Sequence, residues 1–145
     1  MLKDHITTDL IKLQVEARNW EDAVRAGGEL LVKAELCEKR YVDAMVNAVR
    51  DMGPYMVLAP GIALAHGRPE DGVLKAGMSI INLKNPVEFG SEANDPVSLV
   101  ISFGGVDSDS HVGMLKELAL FLMDEANQRL LKTATKIDEI MKAFS

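Results

Sequence analysis

Two histidines stand where a nucleophile would be useful. His66 lies in "APGIALAHGRPEDGV" (residues 59–73), between a short apolar run and a Gly-Arg-Pro break. His111 lies in "GGVDSDSHVGM", where a loop of small and acidic residues gives way to an apolar periodic stretch. A neutral imidazole is a nucleophile that accepts a phosphoryl group. A helix starting near Ser110-His111 would add free backbone N–H groups and a positive dipole, both suited to an anion such as phosphate. The same dipole disfavours an imidazolium and so helps keep His111 neutral. Arg50 and Arg68 are cations close by in sequence. On residue type alone each has a plainer reading: His66 as a turn histidine, His111 as a first-turn residue, Arg50 as a surface residue at a helix end, Arg68 as a solvated turn arginine.

Other chemistries find little footing. No two of His5, His66 and His111 share a helical i, i+3 or i, i+4 spacing, and no CxxC or HExxH occurs, so a metal site is not expected. "DSDSHVG" resembles a calcium loop only superficially, since Val112 stands at the glycine position and Leu118 at the closing glutamate. There is no Walker or Rossmann glycine pattern and no nucleophile elbow; a Ser-His-Asp hydrolase stays open in principle because serines are common.

The elements that must hold these residues can be read in outline. Pro60-Gly61 suits the two central positions of a type II turn, proline presetting the first φ and glycine supplying a positive second one. "MVLA" and "IALA" are then short strands, with His66 at the end of the second, held rigidly yet reachable. Before them, Asn19 reads as an N-cap with Glu21 and Asp22 in the first turn, followed by Trp20, Val24, Gly27, Leu31 and Ala34 at helical spacing. Tyr41, Ala44, Met45, Ala48, Val49 and Met52 form the apolar stripe of a second helix, stopped by Gly53-Pro54. "KAGMSIINL" (75–83) and "VEF" (87–89) read as two strands. "VSLVISF" (97–103) can be covered on both faces, which suits the middle of a sheet flanked by helices. Three helices close the chain, beginning near Ser110, in "ANQRLLKTA" and in "KIDEIMKAF". Helices come first, strands cluster centrally and helices end: a single α/β domain over 1–145, with a mixed central sheet flanked by helices. Open folds of this kind place their sites at one sheet edge, where the loops of His66 and His111 would meet.

Composition agrees. Of 145 residues, 48% are hydrophobic and 26% charged, enough to bury a core and inconsistent with extensive disorder. The net charge of −6 and the lack of a basic run argue against nucleic acid as a partner. No apolar stretch nears the roughly 18 residues that span a bilayer, and "MLKDHITTDL" has no signal-type core. The single cysteine, Cys37, allows no internal disulfide and reads as a semi-buried thiol in a reducing compartment. The expectation is a soluble, cytoplasmic protein without direct membrane insertion.

"PGIALAHGRPEDGV" resembles the phosphorylation-site signature of enzyme IIA components of the sugar phosphotransferase system, in the fructose/mannitol class. "RYVDAM" is similar to that family's helix before the site. "VEFG…NDPVSLVISFGGVDSDSHVGMLKELA" is similar to its later strand, loop, histidine and helix, so the likeness runs over about residues 10–145. Within the class, "MGPYMVLAPGIALAHGRPEDGV" is most like the ascorbate-type branch. The resemblance implies the mannitol/fructose-type enzyme IIA fold. It also implies that His66 takes phosphate from the phosphohistidine of the small phosphocarrier protein. His66 would pass it to a cysteine on a cognate IIB subunit, with a IIC permease downstream. His111 aligns with the second active-site histidine, and Arg50 is the candidate for the family's arginine near the end of the preceding helix. Backbone N–H groups at 110–113 would assist, and no metal, nucleotide or other cofactor is implied. One departure stands out: Ala65 occupies the usual proline position and permits, without enforcing, the extended φ before His66. Related domains serve instead as regulatory modules whose phosphorylation changes a contact, which is the alternative function.

Overall fold

The computed structural model describes residues 2–145. Its first strand, β1 (Ile11–Val15), lies ahead of the Asn19 cap, in a segment to which the sequence reading assigns no element. Ile11 and Val15 are buried while Lys12 is exposed, so this short edge strand turns one face inward. Asn19 caps the next element as expected, its side chain accepting from the Asp22 N–H at 2.9 Å, and α1 runs Trp20–Lys33. The second helix, α2 (Lys39–Met52), ends on Gly53, whose φ of 81° is the left-handed conformation that glycine adopts without strain. Its buried side is Tyr41, Val42, Met45, Val46 and Val49. Met52, expected in the same stripe, is instead 71% exposed.

The hairpin before His66 forms as its sequence requires. β2 (Val57–Ala59) and β3 (Ile62–Ala65) are antiparallel, and Gly61 takes a φ of 76° between them. Next comes β4 (Gly77–Val87), one long strand where two were expected. Past Val87 the chain leaves the ladder because the Phe89 and Gly90 N–H groups donate to the Asp95 carboxylate, at 2.9 and 2.8 Å. A separate strand over 87–89 therefore does not exist. β5 (Val97–Gly104) follows, then α3 (Ser108–Leu122), α4 (Glu125–Thr133) and α5 (Ile137–Phe144).

Among the described residues the strands form one five-stranded mixed sheet in the order β1-β4-β5-β3-β2. β5 is its middle strand, antiparallel to β4 and parallel to β3, and β1 runs parallel to β4. Both faces are covered, which is why β5 carries almost no polar residues beyond Ser98 and Ser102. On one face α1 and α2 lay Val24, Leu31, Met45 and Val49 against Ala63, Ile81 and Val100. On the other, Met114, Leu118, Leu131, Ile140 and Phe144 of the last three helices cover Leu64, Ile80, Leu99 and Ile101. α1 comes unusually close to the sheet, since a Cβ on Gly27 would stand 2.6 Å from Ser102 Oγ.

The missed edge strand is tied in by a buried amide. The Asn82 Oδ1 accepts from the Gln14 backbone N–H at 2.7 Å, and its Nδ2 donates to the carbonyls of Leu131 and Ala134 at 3.0 and 2.9 Å. One residue of β4 thus satisfies a break in β1 and the end of α4 together. Such a fully paired polar group inside a core specifies register as well as adding stability.

Candidate active site

β3 and β5 run parallel, so their carboxyl ends open at the same edge of the sheet. β3 delivers His66 immediately beyond Ala65. β5 delivers Phe103 and then, through Gly104 and Gly105, the start of α3 with His111. Gly105 permits that approach: a Cβ there would meet the His111 N and Cα at 2.6 and 2.7 Å. Three rings are the result. The His66 ring stacks on Phe103 with centroids 5.0 Å apart, Phe103 lies 5.2 Å from His111, and the two imidazoles face each other edge-on at 5.3 Å. Tyr55 approaches His66 from the hairpin side, at 6.0 Å.

The His66 Nδ1 sits 3.0 Å from the Leu64 carbonyl oxygen. A carbonyl can only accept, so Nδ1 carries the proton and Nε2 keeps its lone pair. That lone pair is what a nucleophilic role would require. A cleft of about 420 Å³ opens over the ring, lined by Met52, Tyr55, Arg68, Asp71, Ser108 and His111 among others. The two histidines singled out in the sequence therefore share one site. His111 Nδ1 is buried there with no hydrogen-bond partner.

The structure does not bring Arg50 to the cleft wall. Its guanidinium pairs with Glu21 of α1 at 2.6 Å, in an exposed position at the end of α2. The arginine that does line the cleft is Arg68, which is largely solvent-exposed. The helix start also differs from expectation. α3 begins at Ser108 with Asp107 as its cap, whose carboxylate accepts the Ser110 N–H at 2.8 Å and whose carbonyl accepts the His111 N–H at 3.1 Å. Those amides are already satisfied, so the 110–113 backbone does not offer the free donors that the sequence suggested. The Asp107 carboxylate, held below its ordinary range by the Ser110 bonds, sits at the positive end of the helix instead.

Sequence reasoning missed Phe103, Tyr55 and Met52 as site residues. Phe103 and Met52 fit the apolar patterns of a strand and a helix, and nothing in a lone aromatic after Gly-Pro marks Tyr55 as a cleft wall. Cys37 behaves as expected: it is buried away from the cleft, and burial pushes its thiol up to about 11. Among the described residues no group of three or more His, Cys, Asp or Glu could hold a metal ion, and no helix is long and apolar enough to cross a membrane.

Burial holds the His66 imidazolium below its usual 6.5; the Leu64 carbonyl pulls the other way, and His111 adds to the lowering. The neutral, nucleophilic ring thus persists to lower pH than in a free histidine. An NMR titration of the His66 ring is expected to show a midpoint below 6.5, and a midpoint at or above it would contradict this picture. The sign for stability follows: the unfolded ring, titrating near 6.5, takes up a proton that the folded ring refuses. His66 therefore contributes stability above about pH 6.5 that is lost as the pH falls toward the lowered folded value.

Known structures share this arrangement of sheet and helices. The solution structure of the mannitol-specific cryptic phosphotransferase enzyme IIA CmtB from Escherichia coli matches with a TM-score of 0.90 and 32% identity, over 99% of this chain and 97% of that one. Escherichia coli enzyme IIA for mannitol, solved in complex with phosphorylated enzyme IIB for mannitol, matches with a TM-score of 0.82 and 31% identity, over 95% of each chain. In sequence, the ascorbate-specific PTS system EIIA component of Salmonella choleraesuis (strain SC-B67) is 45% identical over 133 residues, 90% of this chain and 86% of the relative. Its Escherichia coli (strain K12) counterpart is 44% identical over 128 residues, 87% and 83% of the two chains. Residues 4–145 match the family described as "Phosphoenolpyruvate-dependent sugar phosphotransferase system, EIIA 2". The chain belongs to that family and is a phosphotransferase component acting in phosphoryl transfer.

Proposed function

We propose that this protein carries a phosphoryl group on His66 between the phosphocarrier protein and an ascorbate-type IIB subunit. The observation that carries the reading is the free Nε2 of His66, its proton committed to Leu64 and its ring facing His111 at 5.3 Å within an open cleft. In the step, the Nε2 lone pair forms a bond to phosphorus as the P–N bond of the donor phosphohistidine breaks, and that bonding pair returns to the donor ring. The reverse role follows on IIB, where a cysteine sulfur takes the phosphorus and Nε2 recovers its lone pair. The donor is already an activated phosphoramidate, so the protein's work is alignment and charge stabilisation.

His111 is assigned to stabilising charge on the phosphoryl oxygens. Arg68, which lines the cleft, is the cation placed to join it. Arg50 joins by exchanging Glu21 for the phosphoryl group; exposed pairs of that kind are worth about 1 kcal/mol or less, so the exchange costs little. Part of the rim is apolar, with Met52, Tyr55 and Val112 all exposed beside the cleft, and this suits brief contact with partner proteins that must separate again. The protein's net charge of −6 is expected to make those encounters salt-sensitive with carriers whose rims are basic.

The ascorbate assignment rests on the relatives named as ascorbate-specific, at 44 to 45% identity. It is tested by phosphorylating the protein with phosphoenolpyruvate, enzyme I and the phosphocarrier protein, then offering purified ascorbate-, fructose- and mannitol-type IIB subunits at two salt concentrations. Fastest transfer to the ascorbate-type subunit, slowed by salt, is expected. Preference for another IIB overturns the branch, and failure with all three favours a regulatory module.

A further inference from the structure

The parallel ladder between β3 and β5 stops at the pair Ala65↔Ser102, one residue short of the nucleophile. Hydrogen bonding in this ladder falls on alternate residues, as the Leu99 N–H to Gly61 carbonyl bond shows. Continued at the same register, it would next bring the Gly67 N–H to the Phe103 carbonyl. That bond is not made. The Tyr41 hydroxyl stands between the two groups, accepting the Gly67 N–H at 2.8 Å and donating to the Phe103 carbonyl at 2.8 Å, with the Gly67 carbonyl farther off at 3.4 Å. Tyr41 comes from the first turn of α2, on the opposite face of the sheet from Phe103, and is fully buried.

We propose that Tyr41 is a positioning residue for phosphoryl transfer: its hydroxyl replaces one rung of the ladder and wedges the β3 and β5 ends apart, which seats the His66 ring on Phe103. The inference rests on the reading of His66 as the phosphoryl acceptor. Gly67 follows His66 directly, and Phe103 is the ring that touches both imidazoles. One hydroxyl thereby fixes the backbone on the far side of the nucleophile and the backbone beneath its support. Burial pushes the phenol up to about 12, so it keeps the proton that it donates at any ordinary pH. The fit is close: a Cβ on Gly67 would lie 3.1 Å from Tyr41 Cε1 and 3.3 Å from Asp71 Oδ2, so the loop has little room to settle elsewhere.

The test is Tyr41→Phe, which removes the wedge and keeps the packed ring. Transfer from the phosphorylated phosphocarrier protein is expected to slow by about ten- to a hundredfold, the range for misplacement of a reacting group by up to an ångström. Its apparent KM should stay within about twofold, because the apolar rim is untouched. The NMR titration midpoint of His66 should rise toward 6.5 as the ring loses its buried seat, a change that general loss of stability in a still-folded protein would not produce. Should Tyr41→Phe fail to fold, Gly67→Ala presses the loop off the hydroxyl from the other side and is read by the same two quantities. A wild-type value for either the transfer rate or the midpoint overturns the proposal. If the wild-type protein takes up no phosphate at all, it is the proposed function that fails, and the midpoint alone then decides the role of Tyr41.

Discussion

Replacing His66 with alanine is expected to leave a protein that gains no mass when incubated with phosphoenolpyruvate, enzyme I and the phosphocarrier protein, while the wild type gains one phosphate. The loss should be complete, because no second nucleophile in the cleft is prepared in the same way. Ser108 and His111 line it too, but His66 has its proton fixed on Nδ1 by Leu64 and its Nε2 left free. The fold should survive. Each aromatic contact is worth about 0.5–1.5 kcal/mol, against roughly 5–15 kcal/mol for a domain, and His66 lies beyond the last ladder pair of β3. Intact mass and a thermal melt decide the matter together. A phosphate on a folded His66→Ala protein overturns the assignment, and its chemistry would name the true acceptor: acid-labile for histidine, acid-stable for serine.

His111→Ala is expected to accept phosphate but to transfer it more slowly, by an amount on the order of 1–4 kcal/mol, or roughly five- to a thousandfold. The His111 ring lines the cleft and faces the His66 ring at 5.3 Å, so it stands beside a phosphoryl group carried on His66. His111 also walls the cleft by packing on Phe103, so alanine removes two things at once. His111→Phe separates them, since it keeps a ring against Phe103 and removes both nitrogens. If the phenylalanine variant matches wild type in transfer rate and phosphoprotein half-life, the imidazole nitrogens have no part in the chemistry.

Much of this site was legible before any coordinates. Pro60-Gly61 dictates the hairpin, the hairpin puts His66 at a strand end, and the double-sided apolar pattern of 97–103 identifies the middle strand that brings His111 alongside. These are local rules, set within a few residues. What stayed hidden depends on neighbours distant in sequence. β1 is a five-residue edge strand fixed by its parallel pairing with β4, far along the chain, and by the Asn82 bond to Gln14. The capped amides at the start of α3 are the exception, a local feature: Asp107, three residues upstream of Ser110, is a residue type that caps helices. Tyr41 was read for its ring alone, although a tyrosine at the first position of a buried stripe needs a partner for its hydroxyl, and that question leads to Gly67 and Phe103. Arg50 is a further case: charge and helix position suggest a site residue, and its resting partner Glu21, 29 residues away, is invisible to both.

The bond between His66 Nδ1 and the Leu64 carbonyl joins two residues of one short stretch of chain, and it fixes more than the direction of a ring. On the proposed chemistry, the ring receives phosphorus at one nitrogen while the proton on the other stays where the strand already keeps it. The cationic character that phosphorylation lends to the imidazole falls on an N–H aimed at a carbonyl dipole. No acid or base has to be found when the group arrives, and none has to be discharged when it leaves. The carrier is therefore a relay in which phosphorus moves and hydrogen does not, equally ready to run in either direction.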